Sequence, residues 1–302
     1  MGVANTGEAR CLSKEGIKTR PYILGATLPA EREEIAASGW TPCLCSFKEI
    51  EHFNQLGKDS PIEAHLALDT GMGRGGFLPD QLGEALQKLR QTSGIKLTGV
   101  GSHLPVADED PVFTHKQFEL FDSMVESIPG RDEKFHVHLS NSAGLLDYHS
   151  RTTNLVRPGL LIYGISPLPA HQEFLKPVMT FKSRVSIINH LPKGHGVSYG
   201  RTILERDTKT AVVGLGYGDG YPRSLSGKGA SVVLNNSACP LLGRVTMDQI
   251  IVDVTELDTC QPGDEVELFG PNLLVSDLAK KADTIPWEIL TQITPRVTRI
   301  YR

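Results

Sequence analysis

Over its first 165 or so residues the chain alternates short apolar runs with amphipathic stretches at helical spacing, and this alternation restricts the fold more than any other feature. The runs are "GVAN", "PYILGA", "PCLCSF", "AHLALD", "LTGVGSH", "FHVHLS" and "NLVRPGLLIYG"; between them lie "PAEREEIAASG", "PDQLGEALQKLRQT" and "DPVFTHKQFELFDSMVESI". Regular β-α alternation implies a parallel sheet with right-handed crossovers. Seven runs are visible, one short of the eight strands of a closed (β/α)8 barrel. The expectation is therefore an open doubly wound sheet or a barrel whose first βα unit is missing ahead of Gly2.

After the proline-punctuated "SPLPAHQEFLKP" the character changes. Residues 179–268 read as short strands with alternating or β-branched apolar residues between Gly, Asp and Pro turns, the pattern of an antiparallel β domain. A helical stretch interrupted at Pro286 and a final strand, "RVTRIY", are expected to close the chain. We place the domains at residues 1–176, an α/β barrel, and 177–302, mainly antiparallel β.

Charge and cysteine usage narrow the function. Net charge is −4 at pH 7 without basic blocks, so nucleic acid is not an expected partner. No apolar run reaches the length of a membrane span and the first residues lack a signal-peptide pattern. Five cysteines, at 11, 43, 45, 239 and 260, form no C-x-x-C pair, which suits reduced thiols. The expectation is a cytoplasmic protein with no membrane partner.

"DTGMGRGGF" spells G-x-G-x-x-G through Gly71, Gly73 and Gly76. A dinucleotide loop needs a helix opening at the third glycine and an acidic residue about 20 positions on; that position holds Lys96. The glycines read better as a sharp turn projecting Arg74. In a barrel, functional residues belong at the C-terminal ends of the strands, where Asp69 and Arg74, His103 and Asp108, His138, Asn141 and Ser142, and Arg157 with Gly159 fall. "SNSAG" and "RPGLL" occupy the two places where barrels commonly bind phosphate. Each residue has a blander reading: Asn141 or Ser142 as a helix N-cap, Tyr199 in "GVSYGRT" as packing, Arg223 in "GYGDGYPR" as a turn residue. His136 and His138 form H-x-H, but a metal site needs further convergent ligands, and no metal is assigned. Arg157 is harder to set aside, because a buried arginine requires a partner.

Taken in order, "LDTGMGRGG", "GVGSH", "HLSNSAG", "LVRPGLLIYG", "GVSYGRT", "GYGDGYPR" and "GRVTMDQ" resemble alanine racemase, from Gly2 to Arg302. The resemblance implies a pyridoxal 5'-phosphate enzyme, an isomerase interconverting L- and D-alanine for peptidoglycan. It also implies a homodimer in which the β domain of one chain completes the barrel site of the other. Asn141, Ser142 and the amides of Gly159 and Leu160 would hold the cofactor phosphate. Arg157 would face the pyridine nitrogen, His103 would lie against the ring and His138 would support Arg157. Arg74 would bind the substrate carboxylate with the amide of Met247, and Tyr199 would be one of two opposed acid/base groups. Asp108, Arg223 and Arg244 match entrance and dimer-contact positions. The other base in the family is a lysine on the first barrel strand, which also forms the Schiff base. No such segment stands in this sequence, so the chain by itself is expected to be inactive. Ala67 replaces a lysine of many members, and Pro295 a phosphate-contacting tyrosine of some. The alternatives are a noncatalytic dimerising or phosphate-binding remnant, or a related pyridoxal-phosphate barrel enzyme acting on another amino acid.

Overall fold

The computed structural model describes residues 1–302, which divide into two compact units: Met1–Leu161 with Ser166–His171, and Ile162–Ile165 with Gln172–Arg302. The first unit runs β1 (Gly2–Val3), α1 (Thr6–Lys14), β2 (Tyr22–Ile23), α2 (Pro29–Ser38), β3 (Cys43–Leu44), α3 (Phe47–Leu56), β4 (Ile62–Ala67), α4 (Leu82–Arg90), β5 (Ile95–Gly101), α5 (Pro111–Glu126), β6 (His136–His138), α6 (Ser142–Asp147) and the single turn α7 (Gly159–Ile162). The helices begin where capping chemistry dictates. Asn5, Ser46, Asp110 and Asn141 each accept a backbone N–H of the first turn, and Pro29 and Pro111 stand at first positions.

Strand order decides between the two architectures left open by the strand count. β1 pairs with β2, a bridge joins Tyr22 to Thr41, and β3, β4, β5 and β6 pair in chain order, all in parallel. A doubly wound sheet reverses order at a switch point; this wall never does, as in a (β/α) barrel. The seventh run is reduced to a bridge between His138 and Leu155. Pro158 follows three residues later without an N–H to give, and the chain turns into α7. Ile23, Leu44, Ala64, Leu66, Val100 and Val137 are buried along the successive strands and share one core with Ile50, Phe53, Phe118 and Phe121 of the helices.

The second unit contains β7 (Phe181–Leu191), β8 (Gly196–Val197), β9 (Thr202–Ile203), β10 (Thr208–Val213), β11 (Ser231–Leu234), β12 (Ser237–Leu242), β13 (Ile250–Asp253), β14 (Glu265–Phe269), α8 (Val275–Ala282) and α9 (Pro286–Gln292). Six strands close into an antiparallel barrel in the order β10-β13-β12-β11-β14-β7. Closure depends on the length of β7, whose first half pairs with β14 and whose second half pairs with β10. Pro286 starts a new helix rather than kinking one. The expected last strand does not form: residues 296–302 are turn and coil, and Arg299 instead donates to the carbonyls of Ile293, Thr294 and Val297. "SACPLL", not expected as a strand, is β12, because hairpin pairing with β11 and the barrel position outweigh its proline.

Candidate active site

The G-x-G-x-x-G segment is a turn and no nucleotide loop. Asp69 Oδ1 accepts the amides of Gly71, Met72 and Gly73 at 2.9, 2.9 and 3.1 Å. Gly76, at φ 119°, lets Phe77 fold back: its N–H donates to Ala67 O at 2.9 Å and its carbonyl accepts from Asp69 N at 3.0 Å. The next helix, α4, starts only at Leu82, so the third glycine opens none. Arg74 lies exposed on this loop, and its charge bears on His103 and Arg157.

Arg157 is held by several partners at once. One guanidinium nitrogen donates to His138 Nδ1; the other donates to Ser102 O at 2.6 Å and Leu139 O at 3.2 Å, and stands 3.4 Å from His103 Nδ1. Its own N–H donates to Ser140 O at 3.0 Å. Burial, foremost, and the adjacent guanidinium push His138 down to about 2 and His103 down to about 4. Both imidazoles are thus neutral, which fits a site holding an arginine as its cation. His138 spends Nδ1 on Arg157 and Nε2 on His65, 2.9 Å away, and has no lone pair left for a metal. His136, the other half of H-x-H, is exposed.

Asn141 caps α6 through Gly144 N at 3.0 Å and donates from Nδ2 to Leu104 O at 3.0 Å, so the N-cap reading of this residue is what the geometry displays. Ser142 goes further. Its Oγ accepts the amides of Leu160 and Leu161 at 3.0 and 3.4 Å, leaving its own proton free to donate. The amide of Gly159 donates to Arg157 O at 3.0 Å, while a Cβ at Gly159 would meet nothing within 4 Å. The amides of Gly159, Leu160 and Leu161 are thus satisfied within the chain, and the donor left for a phosphate ester is the Ser142 hydroxyl, beside the open space at Gly159. Asp108 is exposed before α5, and no contact joins it to this cluster. Lys88 and Lys96 pair with Glu51 and Glu63, and no lysine is among the charges bearing on Arg157, His103 or His138.

In the second unit one loop, residues 243–249, gathers the others. Tyr199 stands 71% exposed between β8 and β9, on a turn where Ser198, Gly200 and Arg201 all have positive φ. Ser198 Oγ fastens that turn to Arg244 O at 2.7 Å. Thr246 O and Met247 O accept from Tyr217 N and Gly218 N at 3.0 and 2.9 Å, and Ser226 Oγ, which donates to Arg223 O, accepts from Val245 N at 3.0 Å. The turn of Tyr199 and the segment of Arg223, both distant in sequence, are therefore brought to the loop that carries Arg244 and Met247. Sequence reasoning missed His65, hidden in an apolar run, and Arg296, whose guanidinium joins Asp219 to Asp248. A histidine two residues from a strand end was the available signal for the first; the second had none.

The family model for the alanine racemase N-terminal domain matches residues 1–167, and that for the C-terminal domain matches residues 178–301. An alanine racemase of Methylacidiphilum infernorum is 36% identical over the whole chain, which spans 79% of that protein; one of Halothermothrix orenii is 35% identical, with 82% spanned. The structure superposes on the biosynthetic alanine racemase of Pseudomonas aeruginosa with a TM-score of 0.90 at 31% identity, covering 100% of this chain and 84% of that one. It also superposes on the alanine racemase of Bartonella henselae with covalently bound pyridoxal phosphate, with a TM-score of 0.89 at 30% identity and the same two coverages. Two domain models in succession, with relatives matched along the whole chain, establish that this chain belongs to the alanine racemase family.

Proposed function

We propose that the chain is an alanine racemase polypeptide acting with pyridoxal 5'-phosphate, that the locked Arg157 carries this reading, and that residues 1–302 by themselves do not turn over, because no lysine stands among the charges at Arg157, His103 and His138 to form the Schiff base or serve the second face. When bound, the cofactor supplies an electron-withdrawing ring that acidifies the amino acid's α-proton. Ser142 Oγ–H would hold its phosphate, with Asn141 fixing the turn that presents Ser142, and the Gly159 and Leu160 amides would join it by exchanging their present acceptors, Arg157 O and Ser142 Oγ, for phosphate oxygens. Arg157 would donate to the pyridine nitrogen. Held by two carbonyls and an imidazole, its guanidinium would donate a hydrogen bond there without giving up a proton, leaving the ring a weaker electron sink and so favouring return of the proton over side reactions. His103 would pack against the ring, and its neutrality would keep a second positive charge away from it.

Arg74 would take the substrate carboxylate, aided by the Met247 amide, and Tyr199 would move the α-proton on one face, both unit 2 groups coming from a second copy in a homodimer. Loop 243–249 supports this grouping, because it ties Tyr199 and Met247 to one frame with Arg244 and Arg223 at its margin. The division at residues 176/177 then separates the cofactor-holding part from the part lent to the partner. The five free thiols suit a reducing, cytoplasmic compartment, and no helix is long and apolar enough to cross a membrane. Supply of D-alanine for cell-wall synthesis is the role we assign.

The experiment is Tyr199→Phe in a cofactor-loaded protein completed with the family's lysine-bearing first strand, assaying L- to D-alanine conversion and its reverse by chiral chromatography. Turnover should fall at least 100-fold in both directions, with cofactor content unchanged. Near-normal racemisation by the variant would sink the assignment.

A further inference from the structure

The support of Arg157 does not stop at His138. His138 Nε2 lies 2.9 Å from Nδ1 of His65 on β4, and both rings are nearly inaccessible, 2% and 6% exposed. Tyr22 of β2 packs on both imidazoles, with ring centroids 4.7 Å from His65 and 5.2 Å from His138. The slot that admits the two rings is carved by β5. A Cβ on Gly99 would stand 2.7 Å from the His65 ring, and one on Gly101 would stand 2.0 Å from the His138 ring. Both imidazoles fill space that two glycines, on one face of the intervening strand, leave for them.

The hydrogen bonds of this row run one way. Arginine has five donors and no acceptor, so His138 Nδ1 facing Arg157 must be the bare nitrogen. The proton of a neutral His138 is then on Nε2, and Nδ1 of His65 must accept it. Burial, ahead of the neighbouring positive groups, holds His65 down at about 4 and His138 down at about 2, so neither ring carries a second proton at neutral pH. A different tautomer of His138 would set a proton against the guanidinium.

We propose that His65 is a positioning residue for the proposed reaction: by accepting from His138 Nε2 it completes, with the donor-only guanidinium on Nδ1, the pair of contacts that holds His138 in one tautomer and one ring angle, and through that ring it holds the direction of the Arg157 guanidinium. The proposal rests on the role given to Arg157 above. Asparagine and glutamine separate this from mere packing. Asn Oδ1 occupies nearly the place of His Nδ1 and accepts the same proton, whereas Gln places its amide one bond further out, near Nε2.

The test is side-chain 15N NMR of histidine-labelled residues 1–302, at pH 7.5 without cofactor, on the unaltered chain and on His65→Asn, His65→Gln and His65→Leu. The unaltered chain should show His138 as a single tautomer, protonated at Nε2. His65→Asn should keep it, while His65→Gln and His65→Leu should give the averaged signals of mixed tautomers. Should His65→Leu fail to fold, the Asn and Gln pair decides. Unchanged His138 signals in Gln or Leu would overturn the proposal, as would failure of Asn to retain the single tautomer. The role of Arg157 is read separately: Arg157→Leu should shift the absorbance of bound cofactor, and no shift would remove that role while leaving the NMR result on His65 standing.

Discussion

Gly101 and His138 face each other across neighbouring strands so closely that a methyl on the glycine would overlap the ring, its Cβ 2.0 Å from Cε1 and 2.2 Å from Nδ1. That Nδ1 receives the Arg157 guanidinium, so the absence of one side chain is a condition of the arginine's position. Gly101→Ala is expected to displace the ring, break the His138–Arg157 hydrogen bond and cost about 2 kcal/mol as overpacking. Chemical denaturation should register that loss, and the histidine NMR spectrum should show His138 altered. Native stability with an unshifted His138 signal would mean that the slot is looser than its geometry.

Asp69 organises the loop that carries Arg74. One carboxylate oxygen serves three successive amides, and Asp69 is buried. Asp69→Ala leaves these amides without their acceptor, at a cost of about 2–3 kcal/mol, whereas Asp69→Asn keeps an acceptor oxygen and should recover about half. Because the loop places Arg74, the functional signature in a protein completed with the lysine-bearing first strand should be a rise in KM for alanine of tenfold or more with a smaller change in kcat. A change confined to kcat would show that Arg74 does not depend on this turn for carboxylate binding.

Acid stability should reflect the buried imidazoles. His65 and His138, held at about 4 and about 2 against an ordinary value of 6.5, bind no proton in the folded state where the unfolded chain binds two. Above pH 7 neither state is protonated and they leave stability unaffected. As pH falls below 6.5, each lowers stability by up to about 1.4 kcal/mol per unit, continuing to about 4 for His65 and further for His138. Urea titrations at pH 7.5, 6.0 and 5.0 measure the slope. His138→Asn should flatten it by about one proton's worth; an equal slope in the variant would show that other groups govern acid unfolding.

The sequence by itself determined the order of the elements and most of the chemistry at their ends. Alternating runs were sufficient for parallel strands, because period and length are local properties. Asp69 and the glycines after it announced a sharp turn, and Ser142, Arg157 and Tyr199 stood in recognisable segments. Tertiary structure alone decided the rest. Strand order separated a barrel wall from a doubly wound sheet, since hydrogen-bond partners across strands leave no trace in the spacing along one of them. "RVTRIY" has the composition of a strand but no neighbour to pair with, and "SACPLL" became one because β11 and β13 lay on either side. His65 passed without notice inside the apolar run "AHLALD". Its meaning came from Gly99, Gly101 and His138 on adjacent strands, where missing side chains opened the space and a donor-only guanidinium set the direction of every hydrogen bond.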